Sequence, residues 1–262
     1  MELVDICFNF THSSFRDDEA AVLQRAVEAG VTTLMVTGSS VEESEDCIAL
    51  AARYPESLYA TAGVHPHLSE KWGAGTRARL KELAADAKVK AIGEAGLDYN
   101  RNYSPQAAQR HAFEQQIGLA CETGLPLFLH QRDAHEDFVN ILRPYREQLA
   151  QTVVHCFTGS SSELDAYLEL DLHIGITGWI CDERRGRHLH ELVHRIPLDR
   201  LMIETDSPYL LPRDLHPKPK DRRNEPAYLP HILRTVARCL DQPAEAVAAA
   251  TTANAHRFYG LR

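Results

Sequence analysis

The sequence lacks any apolar run approaching the roughly 20 residues that a membrane-spanning helix requires. It also lacks a C-x-x-C pair: Cys7, Cys47, Cys121, Cys156, Cys181 and Cys239 are scattered. In a chain of 262 residues this fits reduced thiols better than a disulfide framework. The opening "MELVDICFNF" carries Glu2 where a signal peptide would carry basic residues, so we expect a cytoplasmic protein. Positive charge is not in excess. The net charge is −9 with His neutral, so a polyanionic partner would have to be gripped locally rather than held by bulk charge. No Ser/Gly/Pro-rich linker or low-complexity tract divides the chain, and 44% hydrophobic with 25% charged residues argues against disorder. G-x-S-x-G and the P-loop are both missing, which removes two common catalytic devices.

What is present is a regular alternation. Short apolar runs predict strands over 3–8, 32–37, 58–64, 89–94, 126–131, 152–157, 172–178 and 201–206. Between them lie amphipathic stretches such as "DDEAAVLQRAVEAG" and "QAAQRHAFEQQIGLACETG", each ending in the Gly expected just past a helix. Eight such units in about 250 residues predict an α/β fold, a TIM-type (β/α)8 barrel forming a single domain over 1–262. A doubly wound open sheet would more naturally carry a Gly-rich phosphate fingerprint after its first strand, and "DICFNFTHSS" has none.

In such a barrel the chemistry belongs at the C-terminal ends of the strands, and that rule sorts the fourteen histidines. His65, His67, His130 and His155 follow or end predicted strands, as do Glu94 and Asp206. His111, His135, His188, His190, His194, His231 and His256 fall on predicted helices, His173 begins a strand, and His12 and His216 lie in loops. Glu94 ends an apolar run, where an unpaired carboxylate is costly to desolvate. Two imidazoles (His130, His155) and two carboxylates (Glu94, Asp206) on strands four, five, six and eight make a divalent-cation site the simplest compensation. Gly93 and Gly96 would let the backbone turn tightly beside Glu94. Arg132, two residues beyond His130, reads either as a clamp on a substrate oxygen or as the partner of a loop carboxylate such as Asp133. Cys156 beside His155 reads as a structural thiol, because adjacent strand residues face opposite ways.

Six motifs in order, "GVHPH", "AIGEAGLDYNRN", "LFLHQRDAHE", "VVHCFTG", "GITGWICDERRG" and "IETDSPYLLPRDLHPKPKDRRNEP", resemble the TatD family of metal-dependent deoxyribonucleases, and the resemblance runs from the first strand to "ANAHRFYG". It implies a barrel of the metallo-dependent hydrolase superfamily acting on DNA phosphodiesters. By the longest motifs it further implies 3′-to-5′ exonuclease action on single strands, with a role in DNA repair. Mg²⁺ is the cofactor implied, although imidazole ligands suit Mn²⁺ or Zn²⁺ better. Glu94, His130 and His155 would be metal ligands, Asp206 the acid/base residue and a further ligand, and His65 and Arg132 contacts to substrate phosphate. DNA is the expected partner, RNA a second one, and the chain is expected to act as a monomer. Basic clusters in "CDERRGR" and "PRDLHPKPKDRR" would track the nucleic-acid backbone.

The chain departs from the family at one place. Many relatives carry D-x-H-x-H on the first strand, where the two histidines ligate a second metal; here the pattern is Asp5, Cys7, Asn9. One strongly held cation is therefore expected, at Glu94, His130 and His155. The same cluster would also serve a barrel hydrolase of another substrate, such as a deacylase for aminoacyl-tRNA, or a metal-binding pseudoenzyme.

Overall fold

The computed structural model describes residues 2–261. Eight strands, β1 (Leu3–Phe8), β2 (Val31–Val36), β3 (Leu58–Ala62), β4 (Val89–Asp98), β5 (Leu127–Arg132), β6 (Thr152–Val154), β7 (His173–Ile176) and β8 (Leu201–Ile203), follow one another in a single sheet in chain order. Each is followed by a helix: α1 (Glu19–Glu28), α2 (Val41–Arg53), α3 (Thr76–Ala84), α4 (Gln106–Thr123), α5 (His135–Leu142), α6 (Ser161–Glu169), α7 (Arg187–Leu192) and α8 (Leu229–Cys239), with α9 (Ala244–Tyr259) last. This is the (β/α)8 barrel fold expected from the alternation.

The chain divides into two compact units. One comprises the residues up to Val36, Cys156–Ser161 and those from Ile174 onward. Within it β1 pairs in parallel with β2, and β7 with β8. Strand β1 is buried along its whole length, and the rings of Phe8, Phe10 and Phe15 pack at centroid separations of 4.4 to 5.8 Å. An apolar strand covered on both faces reads as a continuous hydrophobic run, which is why "LVDICF" was legible.

The other unit comprises Thr37–His155 and Ser162–His173 and contains the parallel run β3–β4–β5–β6. Here β4 corrects the sequence reading. It does not end at Glu94 but continues to Asp98, pairing Gly96 with His130 and Asp98 with Arg132. Gly93 (φ 143°) and Gly96 (φ 134°) make this possible. A Cβ on Gly93 would overlap the Phe128 carbonyl oxygen, and one on Gly96 the His130 carbonyl oxygen. The glycines thus let β4 lie against β5 in a conformation that other residues rarely adopt, rather than ending the strand. Helix α4 then secures the end of β4. Buried Gln109 accepts from the Asp98 amide at 2.8 Å and donates to the carbonyls of Asp98 and Ser104.

Strands β6 and β8 are shorter than predicted, ending at Val154 and Ile203. Just past these ends Cys156 (φ 48°) and Asp206 (φ 55°) adopt left-handed backbone conformations, although Asp206 and Ser207 still bond to β1. His155 and Asp206 therefore sit on strand-end loops rather than within strands.

Candidate metal centre

The centre of the second unit is one carboxylate oxygen. Glu94 Oε1 lies 2.9 Å from His155 Nε2, 3.1 Å from His130 Nδ1 and 3.2 Å from His65 Nε2. Glu94 and His155 are buried, while His65 and His130 are half-buried. Burial alone would raise the Glu94 carboxyl pKa. The His65 and His155 rings, with hydrogen bonds from His130 and His155, outweigh it and hold the group well below the usual carboxylate range. Burial likewise opposes charge on His130, but its contacts with Asp98 and Glu94 raise its pKa; burial prevails at His65, whose pKa is lowered.

A carboxylate oxygen offers two lone pairs, so three imidazoles cannot all bond well to it. Moreover, His130 Nε2 is buried, 3.4 Å from Asp98 Oδ2, and makes no hydrogen bond among the described residues. Ligand atoms of His65, Glu94 and His130 all fall within 4.8 Å of one another. Surplus imidazole nitrogens around an ionised carboxylate are the donor set of a divalent-cation site, and the residues fit one.

His65 differs from the other two rings. Its Nδ1 accepts from the His67 amide at 3.1 Å, so in the neutral ring the proton sits on Nε2, aimed at Glu94. It is placed in the cluster as a hydrogen-bond donor rather than as a lone-pair ligand. Asp98 was missed by the sequence reading. It is buried, accepts from His67 Nε2 at 2.7 Å, and receives the amides of Asn100 and Arg101. Burial opposes its ionisation, yet the contacts with His130 and His67 and the Arg101 amide hold its carboxyl far below the usual range. The signal was available: Glu94, Gly96 and Asp98 continue one face of a strand.

Arg132, half-buried at the end of β5, makes no ion pair among the described residues. Asp133, its alternative partner, instead accepts from Asn100 Nδ2 at 2.8 Å.

The first unit carries the remaining strand-end carboxylates. Asp206 Oδ1 accepts from Asn9 Nδ2 at 3.0 Å and lies 3.5 Å from Cys7 Sγ, and the Asp206 amide donates to the Cys7 carbonyl. Cys7 and Asn9 thus orient Asp206. Glu204, buried and also missed, accepts from the Cys156 amide at 2.5 Å. Asp5 accepts from Thr205 N at 2.9 Å and Thr205 Oγ1 at 2.5 Å. Four of the eight basic residues in the basic clusters are paired: Arg184 and Arg185 with Asp182, Arg213 with Glu183, and Arg223 with Asp18 and Glu225.

Asp5 yields a stability prediction. Complete burial, only partly offset by the Thr205 hydrogen bonds, raises its pKa to about 7. An acid whose folded pKa exceeds its unfolded one stabilises fully below the unfolded value, about 3.9, and that contribution is lost as pH rises towards the folded value. Asp5→Asn, isosteric with the protonated acid, should remove a pH-dependent loss on the order of 3 kcal/mol between about pH 4 and 7. Urea unfolding across that range checks it; identical pH dependence in the two proteins would contradict it.

Imidazoles and carboxylates gathered at the strand ends of a (β/α)8 barrel define the class as a metal-dependent hydrolase. A family model, the TatD-related DNases, matches residues 4–260, and the chain belongs to that family. The 3′-5′ ssDNA/RNA exonuclease TatD of Dickeya dadantii is 52% identical over 257 residues, covering 98% of this chain and 97% of the relative. The protein of the same name from Yersinia pseudotuberculosis is 50% identical, covering 99% and 100%. Among solved structures, the TatD homologue YJJV of Escherichia coli superposes with a TM-score of 0.89 at 29% identity, covering 99% and 98%. A TatD-family hydrolase of Entamoeba histolytica gives 0.90 at 26%, covering 100% and 99%. No helix among the described residues is long and apolar enough to cross a membrane.

Proposed function

We propose that this chain is a divalent-metal-dependent exonuclease that removes nucleotides 3′ to 5′ from single-stranded DNA, and from RNA, with Mg²⁺ as its cation. The observation that carries the reading is the convergence of His65, His130 and His155 on one oxygen of Glu94. The names of the relatives from Dickeya and Yersinia supply the substrate and the polarity. Glu94, His130 and His155 would hold the cation. When bound, it supplies Lewis-acid polarisation of a phosphoryl oxygen and acidifies the attacking water.

The chain's own residues do the rest. Asp206, oriented by the Asn9 amide, takes the proton of the attacking water. His65, its one ring proton on Nε2 and aimed at Glu94, holds that carboxylate in place. Arg132, which makes no ion pair among the described residues, clamps a non-bridging phosphate oxygen. Arg132→Ala should raise KM for DNA about 10-fold or more while cation affinity stays within about 2-fold. Equal losses of both would make Arg132 a structural residue.

The test of the function is digestion of end-labelled single- and double-stranded DNA and of RNA under a titration of Mg²⁺, Mn²⁺ and Zn²⁺, with products resolved by length. Stepwise shortening from the 3′ end of single strands, dependent on the cation, is expected. Release of amino acid from charged tRNA without release of nucleotides would overturn the reading.

A further inference from the structure

Tyr103 is 64% exposed, the most exposed large hydrophobic side chain among the described residues. Its exposure does not come from a loose loop. Upstream, the amides of Asn100 and Arg101 bond to Asp98 Oδ1 at 3.0 and 2.8 Å. Downstream, Ser104 is buried: its hydroxyl donates to the His67 carbonyl at 2.9 Å, its Oγ accepts from the Glu70 amide, and its carbonyl accepts from Gln109. The backbone is therefore held on both sides of a ring that is left open. One side of that ring meets His67 at 4.8 Å, nearly edge-on at 69°. From there the rings continue inward, His67 to His65 at 4.2 Å and His65 to His130 at 4.8 Å. An unbroken row of rings leads from open Tyr103 to the Glu94 cluster.

We propose that Tyr103 is a stacking platform for an unpaired nucleobase of the strand whose phosphodiester lies at the Glu94 cluster. This rests on the proposed nuclease reading and adds a base-binding site to it. An aromatic ring on a backbone fixed on both sides loses little entropy on binding, and every base has a π-face to offer. Stacking reads neither base identity nor the 2′-hydroxyl, so one ring serves DNA and RNA alike. A base inside a duplex has both faces covered and its edge paired, so it must first be extruded, which favours single strands.

The experiment combines substitution of Tyr103 with an abasic scan. Single-stranded oligonucleotides carry one abasic residue at successive positions from the 3′ end, and KM and kcat are measured for the full chain with Mg²⁺ or Mn²⁺. For the unsubstituted protein, one position should be sensitive, its abasic residue raising KM about 5- to 100-fold. Tyr103→Ala should raise KM for the intact strand by a similar factor, leave kcat within about 3-fold, and lose the sensitivity at that position. Tyr103→Phe should retain it. An unchanged KM in Tyr103→Ala, or an abasic penalty that persists there, overturns the proposal. Parallel loss of kcat in both variants also overturns it, because that marks a structural role. Should the unsubstituted protein digest no oligonucleotide, the nuclease reading fails separately. Fluorescence anisotropy with the same labelled strands then decides the base site: weaker binding by Tyr103→Ala that is insensitive to the abasic residue sustains it, and equal binding by both proteins ends it.

Discussion

Glu94→Gln should lower metal-dependent nuclease turnover about 10³-fold or more, with the fold retained. The change keeps the side chain's size and one acceptor oxygen but removes the charge on which three imidazoles converge. Loss of that charge withdraws the main compensation for a divalent ion and presents a buried amide in its place. Cation affinity should fall together with turnover, because both depend on the same oxygen. Calorimetric titration with Mn²⁺ and rates at saturating DNA check the two effects, and circular dichroism checks the fold. Near-normal turnover in Glu94→Gln would remove the cation from the reaction.

Asp206→Asn should behave differently. The amide can still accept from Asn9 at the same oxygen, so the geometry survives while the base is lost. Turnover at saturating DNA should drop about 10³-fold, the usual worth of a positioned general base, with Mn²⁺ affinity little changed. Here the two roles expected of Asp206 separate: a ligand would lose affinity as well as rate, whereas a base loses rate alone.

Much of this was legible in the sequence for a physical reason. Strands covered on both faces carry apolar runs, so "LVDICF" and "PLFLHQ" stand out, and polar residues closing such runs are conspicuous. Glu94, His130 and His155 were found in this way. Asp98 was missed because two glycines looked like the end of a strand. In fact they permit a close approach to the Phe128 and His130 carbonyls, and the strand alternation Glu94, Gly96, Asp98 runs on through them. Glu204 was passed over because its bond to the Cys156 amide joins segments remote in the chain. Composition announces neither the early ends of β6 and β8 nor the left-handed residues Cys156 and Asp206 just past them. The role of Asn9 is of the same kind. By pattern it is a missing imidazole; in the fold it is a donor to Asp206.

Anomalous diffraction from crystals soaked in Mn²⁺ tests the central claim most directly. The account predicts one strong peak per chain, roughly 2.0–2.3 Å from Glu94, His130 and His155, with any second peak weak until a phosphate is bound. A strong peak ligated by Cys7 or Asn9 instead, or none at Glu94 in crystals of a protein that digests DNA, would contradict it.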